Sequence, residues 1–244
     1  MSAVHGAERE QLAIQGARRL LMRVGLATLL TGLLLPALTG WISVLEYRPH
    51  WAAYRGAFGA TEWFSSLQLL VTAAIAWVMY GVRGAGDSRS RPRWIWAVLA
   101  VGFAVLALDE RFDLHEALRD TVLRPLGVFT NSAWIKPGDV ALLLFVIAAI
   151  ALSRWVLVEL KPHRVAVGLY ISGLVVALVA AVLDVVPDAI IATWPAPGFW
   201  DYTAEEVGEI WAEMLFLGAF LLVLDRRLAD LVDATDRTES ATGP

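Results

Sequence analysis

The sequence predicts an all-α, polytopic integral membrane protein: a bundle of six transmembrane helices with both termini in the cytoplasm. Hydrophobic residues make up 58% of the 244 residues, and the mean hydropathy is +0.60. Both values are typical of membrane proteins. Uncharged runs reach the roughly 20 residues that a helix needs to cross a bilayer. The basic residues concentrate in alternate connections, as the positive-inside rule requires.

The first three spans are bounded by charged residues. The apolar run after Arg23 continues to Leu45, longer than the roughly 7–15 residues of a signal-peptide core, so we expect an uncleaved helix. The second span follows Glu62, and an arginine-rich connection separates it from the third. These spans are predicted at 21–45, 63–82 and 94–114.

The last three spans have turn-forming or basic residues at their ends. The fourth begins at Asp139 after Lys136-Pro137-Gly138, and the short connection to the fifth contains Lys161. A proline-rich, aromatic connection precedes the sixth and is expected to form an ordered lid. These spans are predicted at 139–160, 164–187 and 204–225.

The chain therefore divides into three parts. Residues 1–19 are predicted to form a cytoplasmic N-terminal segment, and residues 20–228 the six-helix transmembrane domain. Residues 229–244 are rich in Ser, Thr, Asp and Gly, a composition that favours a disordered cytoplasmic tail.

The distribution of charge sets the predicted orientation. Fourteen of the twenty basic residues fall on the side of the two termini, and fifteen of the twenty-four acidic residues fall on the opposite side. The positive-inside rule then places the acidic face outside the cytoplasm. We expect a multi-pass protein of the plasma (inner) membrane. The excess of arginine over lysine suggests a bacterial source.

The sixth helix carries the most specific pattern. Glu206, Glu209 and Glu213 share one helical face. Thr203 and Glu206 have the spacing of a capping box, which explains the first acids but not Glu213. Glu213 lies about 15 Å into a span about 30 Å thick. Carboxylates at that depth are costly and are functional candidates.

The end of the third helix carries a second acidic stripe. Asp109, Asp113 and Glu116 are spaced i, i+4 and i+7 and would share a face of a regular helix. In such a helix His115 would point well over 100° away from them. Together with the sixth-helix acids, this stripe gives the predicted metal ligands Asp109, Asp113, Glu116, Glu206, Glu209 and Glu213. Supporting residues are Glu62, Glu110, His115, Asp139 and Asp184.

The ligand types restrict the cofactor. An all-oxygen site favours a divalent cation such as Ca²⁺, Mg²⁺, Mn²⁺ or Fe²⁺. The chain has no cysteine, which excludes thiolate sites. The paired Glu-x-x-His motifs typical of carboxylate-bridged di-iron bundles are also missing.

Three functions fit these patterns. The first is a metal-dependent membrane enzyme acting on a lipid or another apolar substrate. The second is a cation- or proton-coupled transporter or channel. The third is a non-catalytic subunit that assembles with itself or another membrane protein and pairs its acids with arginines. The sequence does not indicate nucleic acid binding, because the membrane topology already explains the positions of the basic residues.

Overall fold

The computed structural model describes residues 2–45, 51–86, 94–128, 140–194 and 204–241. Of these, 91% are helical and none forms a strand, so the all-α prediction is confirmed. A π-helical turn, Arg119–Leu123, follows the fourth helix directly. The helices are α1 (Ser2–Leu45), α2 (Trp51–Gly86), α3 (Trp94–Phe112), α4 (Leu114–Leu118), α5 (Val140–Leu160), α6 (Arg164–Val185), α7 (Asp188–Ile191) and α8 (Glu205–Ala241).

Four segments within these helices are long and apolar enough to cross a membrane: Trp63–Val82, Leu143–Leu160, Arg164–Val185 and Glu205–Asp233. They correspond to the predicted second, fourth, fifth and sixth spans. Helix α3 is as apolar as these four segments over most of its length, but Asp109, Glu110 and Arg111 place three charges at its end. The six-span count and the orientation remain predictions.

Helix α8 lies at the centre of the packing and contacts α6, α1 and α2, while α3 packs on α2. The largest core side chains include Trp96, Phe220 and Met79, all fully buried. Trp96 meets Phe220 edge to face, with ring centroids 5.3 Å apart. Such a pair adds to the burial of apolar area that holds the helices together.

Helix α1 approaches α8 through two glycines. A Cβ at Gly25 would lie within contact distance of the Leu221 methyl groups, and one at Gly32 would lie 2.6 Å from the sulfur of Met214. Small residues permit this close approach, and they are common between membrane helices.

The surface of the bundle is largely apolar at mid-height. Exposed side chains include Ile147, Ile150, Ile171 and Val175, on α5 and α6. A belt of this kind suits acyl chains.

The C-terminal part of α8 differs from the sequence prediction. Helix α8 runs without interruption to Ala241, whereas a disordered tail was expected from residue 229. Neither glycine nor proline occurs between Gly218 and Gly243, so nothing in the sequence ends the helix. The predicted aromatic lid lies mostly outside the described residues.

Candidate functional site

Three glutamates from two helices meet at one end of the bundle. Glu110 lies near the end of α3, and Glu206 and Glu209 lie in the first turns of α8. One carboxylate oxygen from each lies within 4.8 Å of the other two, and all three side chains are partly buried. We call these residues the acidic triad.

The triad is compact enough for its oxygens to converge on one divalent cation. Each of the three oxygens lies within 4.8 Å of the other two. Oxygens bound to one Ca²⁺ ion lie up to about 5.2 Å apart, because Ca–O bonds are about 2.3–2.6 Å. A single hard cation held by carboxylate oxygens therefore suits this group.

Glu213 lies one turn further into the bundle than Glu209. It is 7% exposed. The Ser65 hydroxyl of α2 donates a hydrogen bond to its Oε1 at 2.6 Å. Its buried Oε2 has no hydrogen-bond partner among the described residues. A buried carboxylate oxygen without a donor is costly, unless a proton or a cation occupies it.

The charges that act most strongly on Glu209 and Glu213 are negative. Glu110 and Glu206 act on both residues, and Glu205 and Glu213 act on Glu209 in addition. Several desolvated carboxylates so close together cannot all remain ionised without a neutralising partner. A proton or a cation bound among these carboxylates would relieve their repulsion.

Polar side chains of α2 continue the site below Glu213. Gln68 donates from its Nε2 to the carbonyl of Ile210 at 3.0 Å. Its fully buried Oε1 has no partner in the described part of the chain. Thr72, one turn deeper, donates to the carbonyl of Gln68. Beyond Thr72 the next buried residues of α2 are Ala73, Ile75, Ala76 and Met79, so the polar row of this helix ends there.

Residues 20–224 match the family model described as "Domain of unknown function (DUF8692)". The chain belongs to this family. No curated protein and no solved structure matches it. Its function therefore has to be inferred from the geometry of the site.

The end of α3 differs from the regular helix assumed in the sequence prediction. The helix stops at Phe112, and Asp113 adopts left-handed dihedrals, with φ of 48°. The chain then restarts as α4 in a new direction. Asp109, Asp113 and Glu116 consequently do not lie along one continuous helical stripe, and the stripe prediction is wrong at this point.

This turn brings His115 onto Asp109, a contact that a regular helix would not allow. Asp109 accepts a hydrogen bond from the His115 backbone N–H at 2.7 Å, and its other oxygen lies 2.9 Å from Nδ1 of the ring. The hydrogen bond to Asp109 raises the pKa of His115, and the charges of Asp184 and Glu116 act in the same direction. Both carboxylate oxygens of Asp109 thus contact His115.

The two other predicted ligands from this region lie at the surface. Asp113 is exposed. Glu116 is 48% exposed and accepts a hydrogen bond from Arg119 at 2.9 Å. Arg119 also donates to Asp120 at 3.1 Å. Arg111, which could have paired with the acids, stacks instead over the Trp63 ring at 4.1 Å.

The structure describes the side chains of two of the four supporting acids. Glu110 belongs to the acidic triad, and Asp184 lies near enough to His115 to act on its charge. The side chain of Glu62 and all of Asp139 lie outside the described residues.

The sequence analysis predicts Asp109 as a metal ligand and Glu110 only as a supporting residue. The buried face of α3 favours the opposite order. Apart from Ile95, the buried positions of α3 are Trp96, Ala100, Phe103 and Ala107, and the next position on this stripe is 110. On α2, Ser65, Gln68 and Thr72 follow the same periodicity. A search for polar residues that continue a buried stripe would have found both sets.

Proposed function

We propose that this protein is a membrane protein that binds a divalent cation at the acidic triad, with Glu213 as a further carboxylate beneath it. The observation that carries the proposal is the conjunction of the triad with a buried oxygen of Glu213 that has no hydrogen-bond partner among the described residues. A cation at the triad would neutralise the cluster.

Calcium and Mn²⁺ are the first candidates, because both take oxygen ligands. Three carboxylates supply up to six oxygens, and waters or Glu213 can complete a shell of six to eight ligands. Zinc is disfavoured, because it prefers nitrogen and sulfur ligands in tetrahedral geometry.

The site supports chemistry more readily than transport. Below Thr72, the buried side chains of α2 and the facing part of α8 are apolar, with Leu217, Phe220 and Leu224 on the α8 side. An ion moving from Glu213 toward the other end would have to pass these apolar side chains of α2 and α8, at high cost. The bound ion would then act as a Lewis acid on a lipid or another apolar substrate from the bilayer.

Transport remains the second candidate because of Gln68. Its buried Oε1 has no hydrogen-bond partner in the described ranges of the chain, and Gln68 and Thr72 extend polar groups beyond Glu213. Flux through proteoliposomes separates the two functions. An enzyme gives no cation-dependent uptake, whereas a transporter takes up the ion that the triad binds and loses this uptake in Gln68→Leu.

Thermal unfolding of chelator-treated protein, titrated with Ca²⁺, Mn²⁺ and Mg²⁺, tests the binding proposal. An ion that binds the folded state alone raises the unfolding temperature as its concentration increases. We expect this rise in the wild type and its loss in Glu206→Gln/Glu209→Gln. Glu116→Gln is the matched control, because its surface carboxylate pairs with Arg119, and it should respond like the wild type. An equal response of all three proteins would refute the assignment.

A further inference from the structure

A groove at the opposite end of the bundle is lined by arginines. It lies between α1 and the second half of α8 and has a volume of about 600 Å³. Its lining consists of Gln15, Arg18, Arg19, Met22, Arg23, Asp225 and Val232. Three guanidinium groups against one carboxylate give the groove a net positive charge.

One of the three arginines is held by the protein itself. Arg18 donates to both oxygens of Asp225, from Nε at 2.5 Å and from a terminal nitrogen at 3.1 Å. Asp233 adds a second negative charge near the same guanidinium. This bidentate pair fixes α1 against α8 and gives the groove a defined shape.

The other two arginines are available for a ligand. Arg19 and Arg23 are exposed and make no ion pair or hydrogen bond with any described residue. They are one helical turn apart and share a face of α1, and Gln15 lies one turn before them on that face. Two guanidinium groups and an amide so arranged can bind one phosphate.

The same face of α1 becomes apolar immediately after Arg23. Leu26, Leu30 and Leu33 continue the stripe and are 57%, 51% and 53% exposed. The ten residues from Arg23 to Leu33 span about 15 Å, which is roughly the thickness of one leaflet of the hydrocarbon core. A ligand that fits this face has an anionic head and an apolar tail of that length.

We propose that this groove binds an anionic phospholipid, with the phosphate between Arg19 and Arg23 and an acyl chain along Leu26, Leu30 and Leu33. Basic pockets between membrane helices recognise such headgroups by charge. This site is separate from the acidic triad, so the two proposals stand or fall independently.

The test measures binding of phosphatidylglycerol to the full-length protein in neutral detergent by native mass spectrometry, with phosphatidylcholine and inorganic phosphate as comparison ligands. The variant is Arg19→Gln/Arg23→Gln. The control, Lys161→Gln/Arg164→Gln, removes two exposed charges outside the groove, in the connection between α5 and α6. We expect an about thirtyfold loss of phosphatidylglycerol affinity in the variant and a change below about twofold in the control.

Equal losses in variant and control would overturn the proposal, because they would show a response to net charge alone. Unchanged affinity in the variant would also overturn it. Binding of inorganic phosphate as tightly as the lipid would show a free-anion site and contradict the role of the leucine stripe. Preservation of the unfolding temperature in both double variants verifies that they are folded.

Discussion

At the scale of single residues, the hydrogen bond between Ser65 and Glu213 shows how the interior tolerates a carboxyl group. The bond is 2.6 Å long and buried, and it satisfies one of the two oxygens. The other oxygen, Oε2, makes Glu213 a candidate functional residue, because no group in the described part of the chain donates a hydrogen bond to it.

Replacing Glu213 by Gln should separate binding from folding. The amide has nearly the same shape and can still accept from Ser65, so the cation-free protein should keep its unfolding temperature within a few degrees. It provides no negative charge, so the rise of that temperature with Ca²⁺ should shrink or vanish. Thermal scans with and without the ion measure both effects. An undiminished response to Ca²⁺ would remove Glu213 from the site.

Ser65→Ala should destabilise the protein by about 1–3 kcal/mol, because it leaves a buried carboxyl oxygen without a donor. Ser66→Ala is a close control. Ser66 donates to the carbonyl of Ala107, which lies within a helix and can keep a backbone partner. A smaller loss for Ser66→Ala is expected in equilibrium unfolding. Equal losses would indicate that Ser65 only fills space.

The pair of His115 and Asp109 predicts a pH dependence. The folded-state pKa of His115 is raised by Asp109, so the stabilisation is complete below the unfolded value of about 6.5. It is lost as the pH rises through the higher folded value. His115→Gln should remove this dependence and cost about 1.5–3 kcal/mol at acidic pH. Unfolding temperatures between pH 5 and 9 provide the comparison.

His163→Gln, at the other end of the bundle, is the control for the pH series. It should retain the stability loss of the wild type with rising pH. If both histidine variants follow the wild-type curve, the His115–Asp109 pair does not control the dependence.

At the scale of helices, the packing of α1 against α8 depends on the missing side chain of Gly32. A Cβ there would meet Met214 at 2.6 Å and Gln68 Oε1 at 3.1 Å. Gly32→Leu should therefore force the helices apart and destabilise the protein by about 1–3 kcal/mol. Gly168→Leu adds the same side chain on α6, where nothing lies within 4 Å, and should have little effect. Equal unfolding temperatures for the two variants would contradict this packing.

The breaks between helices explain where sequence reasoning failed at this scale. The apolar runs predicted α5 and α6 to within a few residues, because a bilayer span is a long and nearly uniform signal. They also predicted the end of α2 and the start of α8, but α2 begins at Trp51 and α8 continues to Ala241, both well outside the predicted spans. The left-handed turn at Asp113 was not predictable from periodicity. It depends on a hydrogen bond from the His115 backbone N–H to Asp109. The helical spacing of Asp109, Asp113 and Glu116 continues through this turn and gives no sign of it.

At the scale of the whole molecule, the charged groups are sorted to the two ends of the helices. At the end opposite the acidic triad, buried Glu159 accepts hydrogen bonds from Arg227 at 3.0 Å and from Trp96 at 3.3 Å. Acids there are paired with arginines, whereas Glu209 and Glu213 have mainly acidic neighbours. The sequence showed acidic residues at the end of α3 and at the start of α8, but that Glu110 and not Asp109 lies beside Glu206 and Glu209 depends on the packing of the helices.

Metal analysis of the detergent-purified protein by inductively coupled plasma mass spectrometry tests the central claim most directly. We predict about one divalent ion per chain in the wild type, retained in Glu116→Gln and lost in Glu206→Gln/Glu209→Gln. Protein purified with Ca²⁺ and Mn²⁺ in the buffers, then desalted, provides the sample. Absence of a stoichiometric ion from the wild type, or equal metal content in all three proteins, would contradict the assignment of a cation site to the acidic triad.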